Sequence, residues 1–427
     1  MAAIQFIKQQ YKSPALKAMG IYTITNFFGK GLSFLLLPVF TNPKYLSPAD
    51  NGLLSLFSQA IIFVLPFINL GILQSASTDY FKLDKKKFRD FCTTGFAMSA
   101  VMTVLAFTVF YFLKSFLTTT FSLPSIFIWA IPLAAFLNFC YEFVILIIRN
   151  RDDAAKYMKV NMTRIIIEMG LALILIVLLS WSWMGRVSSI LIATGVVSLY
   201  GSWFLIKNGY LSGSIKKKII YAELKYSLPI IMMQLSMFCL FSSDSFLLSG
   251  ITKNNSEVGI YGMACVFGSV LITLSSALIQ YMVPKINKTL SAPTIDYSEI
   301  RGCFIVYFSL MAFAYTALLL LVPLIYHLYI NSDYWPGIDY YFFLSTGYLF
   351  WTITIFLYSF LLYFKQKKLL LILATSSIMI SLGSNYFFIH FQGAFGASVS
   401  VCISYFALML ITLIVTKKYW RPLLHYA

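Results

Sequence analysis

The sequence predicts an all-α integral membrane protein with about twelve transmembrane helices in two six-helix halves. Three observations predict it: an apolar composition, apolar runs of bilayer-spanning length over most of the chain, and a regular alternation of Lys and Arg between those runs. The 427 residues are 59% hydrophobic, 18% aromatic and 11% charged, with a mean hydropathy of +0.81. A soluble domain carries about 25% charged residues, so this chain cannot cover one water-soluble globule. The formal net charge of +17 would suit nucleic acid in a soluble protein. Here the excess lies in short loops between apolar runs, which orients a membrane protein and draws anionic lipid heads. Membrane lipids are therefore the expected partners, and nucleic acid is not.

A span needs about 20 mostly apolar residues. In order, the runs are 18–40, 52–77, 92–113, 124–148, 162–184, 187–206, 228–250, 258–284, 301–328, 338–362, 369–390 and 394–416. The first is of spanning length and lacks a small-residue cleavage site, so no cleavable signal peptide is expected. Only a Trp/Gly turn divides the fifth and sixth. Pro38, Pro66, Pro132, Pro229, Pro284 and Pro323 stand within or at the ends of spans, where they kink helices. Trp129, Trp181, Trp183, Tyr334 and Trp335 flank spans, as an interfacial aromatic belt does.

Counting Lys and Arg by alternate segments puts 27 on one side and 4 on the other: Lys44, Lys114, Arg186 and Lys253. Lys30 sits inside the first span. By the positive-inside rule the rich side is cytoplasmic, and both termini are on it. The longest cytoplasmic loop, 207–227, divides the chain into halves 1–206 and 228–427. A short repeat supports the division. Ala49-Asp50-Asn51-Gly52-Leu53-Leu54 follows the first span, and Ser256-Glu257-Val258-Gly259-Ile260-Tyr261 follows the seventh. Each is an acidic turn, a glycine and an apolar helix start. Parallel repeats of this kind characterise one class of alternating-access transporters, with a central site between repeats.

Gly29-Lys30-Gly31-Leu32-Ser33-Phe34-Leu35-Leu36-Leu37-Pro38, followed by Tyr45-Leu46-Ser47-Pro48 and Asn51-Gly52-Leu53, resembles the opening of the Wzx-type O-antigen and capsule flippases. These belong to the multidrug/oligosaccharidyl-lipid/polysaccharide superfamily. Ser227-Leu228-Pro229, Ser243-Asp244 and Glu257-Val258-Gly259-Ile260-Tyr261 resemble the start of their second half. The resemblance implies transport of an undecaprenyl-pyrophosphate-linked oligosaccharide from the cytoplasmic to the outer leaflet of a bacterial inner membrane. It also implies the polymerase and chain-length regulator of a lipopolysaccharide or capsule pathway as partners.

Charges inside spans are costly and face a bundle interior or a watery cavity. Lys30, between two glycines near mid-span, reads either as a lumen cation for a pyrophosphate or as half of a structural ion pair. It is expected to be the deepest cation. Asp244, beside Ser242, Ser243 and Ser245, reads as a lumen carboxylate, as a proton or sodium coupling site, or as the partner of Lys30. Glu142 and Glu168 are expected one to two turns inside the cytoplasmic ends of the fourth and fifth spans. Arg149 shares a helical face with Glu142, and Arg164 stands four residues before Glu168. These four read as an ion-pair clamp at the cytoplasmic mouth. The other reading makes Arg149 and Arg164 a pyrophosphate receiver, since the planar guanidinium donates bidentately, with Glu142 and Glu168 as further coupling-ion candidates. Tyr22 and Tyr141 are candidates for stacking on sugar rings. One departure from the cationic lumen of some such flippases is the balance of Lys30 against Glu142, Glu168 and Asp244, which favours a neutral glycan.

Cys92, Cys140, Cys239, Cys265, Cys303 and Cys402 lie within or at the ends of apolar runs with no CxxC pair, and the three histidines are scattered. No disulfide framework, metal site or cofactor is expected. No phosphate loop, nucleophile elbow or catalytic carboxylate pair appears, so no enzymatic step is expected. A drug or metabolite antiporter of the same superfamily is the second reading. A membrane-embedded polymerase or acyltransferase is the third.

Overall fold

The structure, a computed structural model, describes residues 21, 25, 28–291 and 297–420. Every regular element among them is helical. Among the described residues ten helices are long and apolar enough to cross a membrane: Pro48–Asn69, Lys85–Phe112, Phe127–Asn150, Ala154–Leu178, Ser182–Lys207, Lys217–Phe241, Asn255–Leu290, Tyr297–Tyr329, Gly337–Tyr363 and Lys368–Val415. The last holds two spans. Gly393 breaks it at φ 54, ψ −131, and the hydroxyls of Ser384 and Ser404 lie 2.7 Å apart. A continuous helix would separate those residues by about 30 Å, so the chain has reversed. Gly396 permits the tight return, because a methyl there would overlap the Phe388 carbonyl. The run 18–40 is described in part: residues 28–35 are helical and Leu37–Phe40 follows. The all-α membrane fold expected from hydropathy is the fold observed.

Local chemistry sets where spans begin. Asp84 caps Lys85–Phe112, its carboxylate accepting the Lys87 backbone N–H at 2.8 Å. That bond, with the Lys87 ammonium at 3.1 Å, holds the carboxyl below its usual range. Asp153 caps Ala154–Leu178 in the same way, accepting from the Lys156 N–H at 3.0 Å. The fifth span therefore begins at Ala154 rather than at 162. It ends in a π-helical turn, Ile174–Leu178. Ser180 and Ser182, at φ 54 and 46, then reverse the chain into Ser182–Lys207. The fifth and sixth spans are thus separate helices.

Two spans are interrupted. Pro48–Asn69 stops at Leu70 and Gly71, both with positive φ, and resumes as Ile72–Lys82. Lys217–Phe241 stops at Ser242 and resumes as Ser243–Thr252.

Contacts group the chain into two compact units. One comprises Met1–Leu46, Leu56–Thr119 and Leu123–Leu235; the other comprises Ser47–Ser55, Thr120–Ser122 and Ser236–Ala427. In the first, Phe127–Asn150 is the buried centre, with Phe96 set 5.4 Å from Phe139 and 4.9 Å from Phe143. In the second, Gly337–Tyr363 takes that place, its Tyr348 ring lying over Gly268. The central stretches of these two helices are 72% and 67% buried, against 44% or less for the others. They are the fourth and tenth spans, equivalent places in the two halves of the sequence.

Candidate functional site

The break at Ser242 frees backbone carbonyls inside an apolar core, where an unpaired one is costly. Side chains satisfy them. The Cys239 carbonyl accepts from Ser243 Oγ at 2.5 Å and from Ser381 Oγ at 2.9 Å. The Leu240 carbonyl accepts from the Tyr405 hydroxyl at 3.0 Å. Asp244 stands in the first turn of the resumed helix, where the N-terminal dipole favours an anion. It is 4% exposed. Its Oδ1 accepts the Ser245 N–H at 2.7 Å, and its Oδ2 accepts from the Tyr261 hydroxyl. Among the described residues no lysine or arginine pairs with it.

Facing this break is a strip of polar side chains on the last two spans. Ser381 reaches the break directly, and Asn385 follows one turn later, buried with its Oδ1 without a partner among the described residues. Ser384 bonds both Ser400 and Ser404 across the hairpin, at 2.8 and 2.7 Å. Around the buried Asp244 carboxylate stand the Tyr261 and Ser245 hydroxyls, with the Cys265 thiol near Tyr261, an arrangement suited to holding a proton. Among the described residues no three His, Cys, Asp or Glu side chains gather as a metal group.

The other unit holds the remaining candidates. Tyr141 is buried and donates its hydroxyl to Asn161 Oδ1, and Asn161 in turn donates to the Tyr157 carbonyl at 2.9 Å. The Arg164 guanidinium lies 4.6 Å above the Tyr141 ring. Its Nε is buried and lacks a hydrogen-bond partner among the described residues. Glu142 lies within electrostatic reach of both Arg149 and Arg164. Arg149 itself is exposed near the end of its helix.

Two expectations fail here, for one reason. Because the fifth span starts at Ala154, Arg164 lies about 15 Å along the helix axis and Glu168 about 21 Å. Neither is near that end of the helix, where the sequence reading put the clamp. Glu168 does not pair with Arg164: its Oε1 lies 2.9 Å from Nη2 of Arg186, on the following helix. Arg186, which the alternation count places in an outer loop, is inside Ser182–Lys207 and packs over Phe40 at 5.2 Å. The expected four-residue clamp is therefore divided.

Lys30 is exposed. A Cβ on its neighbour Gly29 would meet Ile165 Cδ1 at 2.9 Å, so the Lys30 turn lies beside the Arg164 turn. Lys30 is not the lone deep cation. Tyr22 lies outside the described residues.

Residues 15–290, more than half of the chain, match the family described as Polysaccharide biosynthesis protein. The chain belongs to that family. The family resemblance read from its opening segments is borne out. No curated protein matches the chain. Among solved structures, it is similar to one titled "Lipid II flippase MurJ, inward closed conformation", with a TM-score of 0.74, 15% identity and 93% of this chain covering 87% of that one. It is also similar to a multidrug resistance MATE family transporter of the MOP superfamily in an inward-facing conformation, with a TM-score of 0.70, 15% identity, and 91% and 95% coverage. A MOP superfamily transporter from Pyrococcus furiosus, its title noting reverse polarity of the binding pocket, scores 0.54 at 18% identity, with 96% and 94% coverage. At these identities the likeness is one of fold.

The chain also carries buried polar contacts that sequence reasoning missed. Glu223, 8% exposed in Lys217–Phe241, accepts from Ser75 Oγ at 2.8 Å, and Asp79 adds a second negative charge nearby. Glu223 falls within 207–227, which the sequence reading treats as a loop, and it was not singled out. The apolar residues that follow it at helical spacing were the available signal that its face is buried.

Proposed function

We propose that the chain is a flippase, carrying an undecaprenyl-pyrophosphate-linked oligosaccharide from the cytoplasmic to the outer leaflet of the bacterial inner membrane, with both termini cytoplasmic. The observation that carries this reading is the pairing of levels between Lys30 and Arg164. Two cations occupy adjacent helices deep in the span, one exposed and one held over Tyr141 with an Nε–H that has no partner among the described residues. A pyrophosphate needs such a pair, because a single ammonium in an apolar protein leaves most of the anion's oxygens without donors. Membership of a polysaccharide biosynthesis family supports a glycan cargo. The similar lipid II flippase supports a lipid-linked one.

In this reading Arg149 receives the headgroup at the cytoplasmic face, and Lys30 and Arg164 hold it in transit. Asp244 binds the coupling proton or sodium ion within its hydroxyl shell. O-antigen and capsule repeat units are the cargo class, and the polymerase and chain-length regulator of such a pathway are the partners. The test is translocation of a fluorescent undecaprenyl-pyrophosphate-linked oligosaccharide in proteoliposomes. Lys30→Ala and Arg164→Ala should each reduce it to background while the protein stays folded. Full transport in both variants would overturn the reading. Efflux of cationic dyes without glycan movement would favour the antiporter alternative, which the likeness to a multidrug transporter raises.

A further inference from the structure

Four helix ends meet around the turn that opens the 207–227 segment. They are the start of Lys85–Phe112, the end of Phe127–Asn150, the start of Ala154–Leu178 and the end of Ser182–Lys207. Gly209, at φ 71, lets the chain turn there. Beyond it the chain lies along Lys85–Phe112. The Gly213 N–H donates to Thr93 Oγ1 at 3.0 Å, the Ser214 N–H to Asp90 Oδ1 at 2.7 Å and the Lys216 N–H to Thr94 Oγ1 at 3.1 Å. A methyl on Gly213 would overlap the Arg89 carbonyl, so the two backbones touch.

Each helix end brings a cation to this turn. The Arg89 guanidinium lies 3.5 Å from where a Cβ on Gly209 would stand. Arg151 Nη1 donates to Asn208 Oδ1 at 3.2 Å. Arg151 and Lys156 stand over one ring, Phe204, at 5.6 and 3.8 Å. Lys207 lies 4.8 Å over the Trp203 ring. Lys156 is within electrostatic reach of Arg151 and Lys207, with Asp153 offsetting part of its charge. The nearby carboxylates bond backbone: Asp90 accepts the Ser214 N–H and Asp153 the Lys156 N–H. Among the described residues none of the four cations is in an ion pair. Cations gathered in this way repel one another, and an anion supplied from outside removes the repulsion.

The helix face beside the cluster selects the anion. Val196, Leu199, Trp203 and Lys207 recur at steps of three and four, so they share one side of their helix. The first three are 45%, 73% and 54% exposed. An apolar strip therefore runs from the Lys207 ammonium into the span, with an exposed tryptophan one turn inside, at headgroup depth. A phosphate carrying acyl chains meets both strip and cations, whereas a free phosphate meets the cations alone. A zwitterionic headgroup would bring its own ammonium against four others.

We propose that these helix ends form a binding site for the phosphodiester headgroup of an anionic phospholipid. Arg151, Lys156 and Lys207 hold the phosphate, Arg89 closes the far side of the Asn208–Gly209 turn, and the strip from Trp203 to Val196 carries an acyl chain. Guanidinium groups suit phosphate because they donate through two N–H bonds at once. The occupied site fastens 207–216 to the membrane surface. The inference is independent of the flippase reading, since it needs no cargo and no direction of transport.

The test uses the full-length protein. Native mass spectrometry from detergent, with phosphatidylglycerol and phosphatidylcholine in equal amounts, reads the lipid preference. The wild type should retain phosphatidylglycerol. Arg151→Gln/Lys207→Gln should lower that preference by about tenfold. Lys417→Gln/Lys418→Gln, which removes the same charge elsewhere, should leave it unchanged. An equal fall in both variants would make the attraction diffuse and overturn the site. A second readout needs no variant. Deuterium uptake over 207–216 should be lower in nanodiscs of equal phosphatidylglycerol and phosphatidylcholine than in phosphatidylcholine alone; unchanged uptake would overturn the site. Two further arms fix the source of the phosphate. Inorganic phosphate that protects 207–216 equally well in phosphatidylcholine would make this a site for a soluble anion. Undecaprenyl pyrophosphate that displaces phosphatidylglycerol at equal concentration would make it a cargo site. Either result would overturn the phospholipid assignment.

Discussion

Glu168 and Arg186 are joined at 2.9 Å across adjacent helices, with side chains only 12% and 17% exposed. The pair ties the fifth span to the sixth just before the chain turns at Ser180–Ser182. Removing one partner leaves the other charge in a poorly solvated place. Glu168→Gln should therefore destabilise the protein by about 3 kcal/mol, seen as a lower thermal midpoint in detergent. Arg186→Met combined with Glu168→Leu should recover most of the loss. Equal destabilisation by the double variant would show that packing, not charge, dominates.

Arg164 over Tyr141 gives a second expectation. Tyr141→Phe keeps the ring beneath the guanidinium but removes the hydroxyl that bonds Asn161. It should cost about 1 kcal/mol of stability and leave glycan transport near normal. Arg164→Lys keeps the charge but loses the planar fork, so transport should fall by about tenfold with unchanged folding. Normal transport in Arg164→Lys would make the residue a point charge rather than a bidentate phosphate ligand.

The contrast between these two sites shows what a sequence makes legible. Hydropathy and charge alternation gave the spans, because the bilayer forces every span to be long and apolar. The glycine repeat at 52 and 259 was visible, yet a repeat carries no information on whether its copies touch, as these do. Depth along the fifth span was misjudged because Ala154–Asn161 is polar enough to look like a loop, and the Asp153 cap that makes it helical is a local contact. The Glu168 partner was misassigned because i,i+4 spacing offers Arg164 as a neighbour, whereas the contact is made by Arg186 on the following helix, at 2.9 Å. Asp244 was legible as a polar cluster; its Tyr261 partner lies seventeen positions away on another helix.

Asp244 yields a functional prediction. If it binds the coupling ion, Asp244→Asn should abolish the sodium or pH dependence of transport, and Tyr261→Phe should weaken it. Both variants replace one side chain with another of similar shape, so folding should persist. The measurement is the initial rate of glycan translocation across a pH series and a sodium series. Unchanged dependence in Asp244→Asn would exclude the carboxylate as the coupling site.

Glu223 and Ser75 set the last expectation. A carboxylate 8% exposed beside Asp79 has one hydroxyl to hold it. Ser75→Ala leaves that carboxylate without its donor, which should cost about 2 kcal/mol. In a Glu223→Leu background the donor has nothing to serve, so the same substitution should be close to neutral. The two thermal midpoints, compared as a double-mutant cycle, isolate the hydrogen bond from the packing of the helix break at Gly71, where φ is 73 and a Cβ would lie 2.7 Å from Ile230. Additive losses would mean that Ser75 matters only for packing.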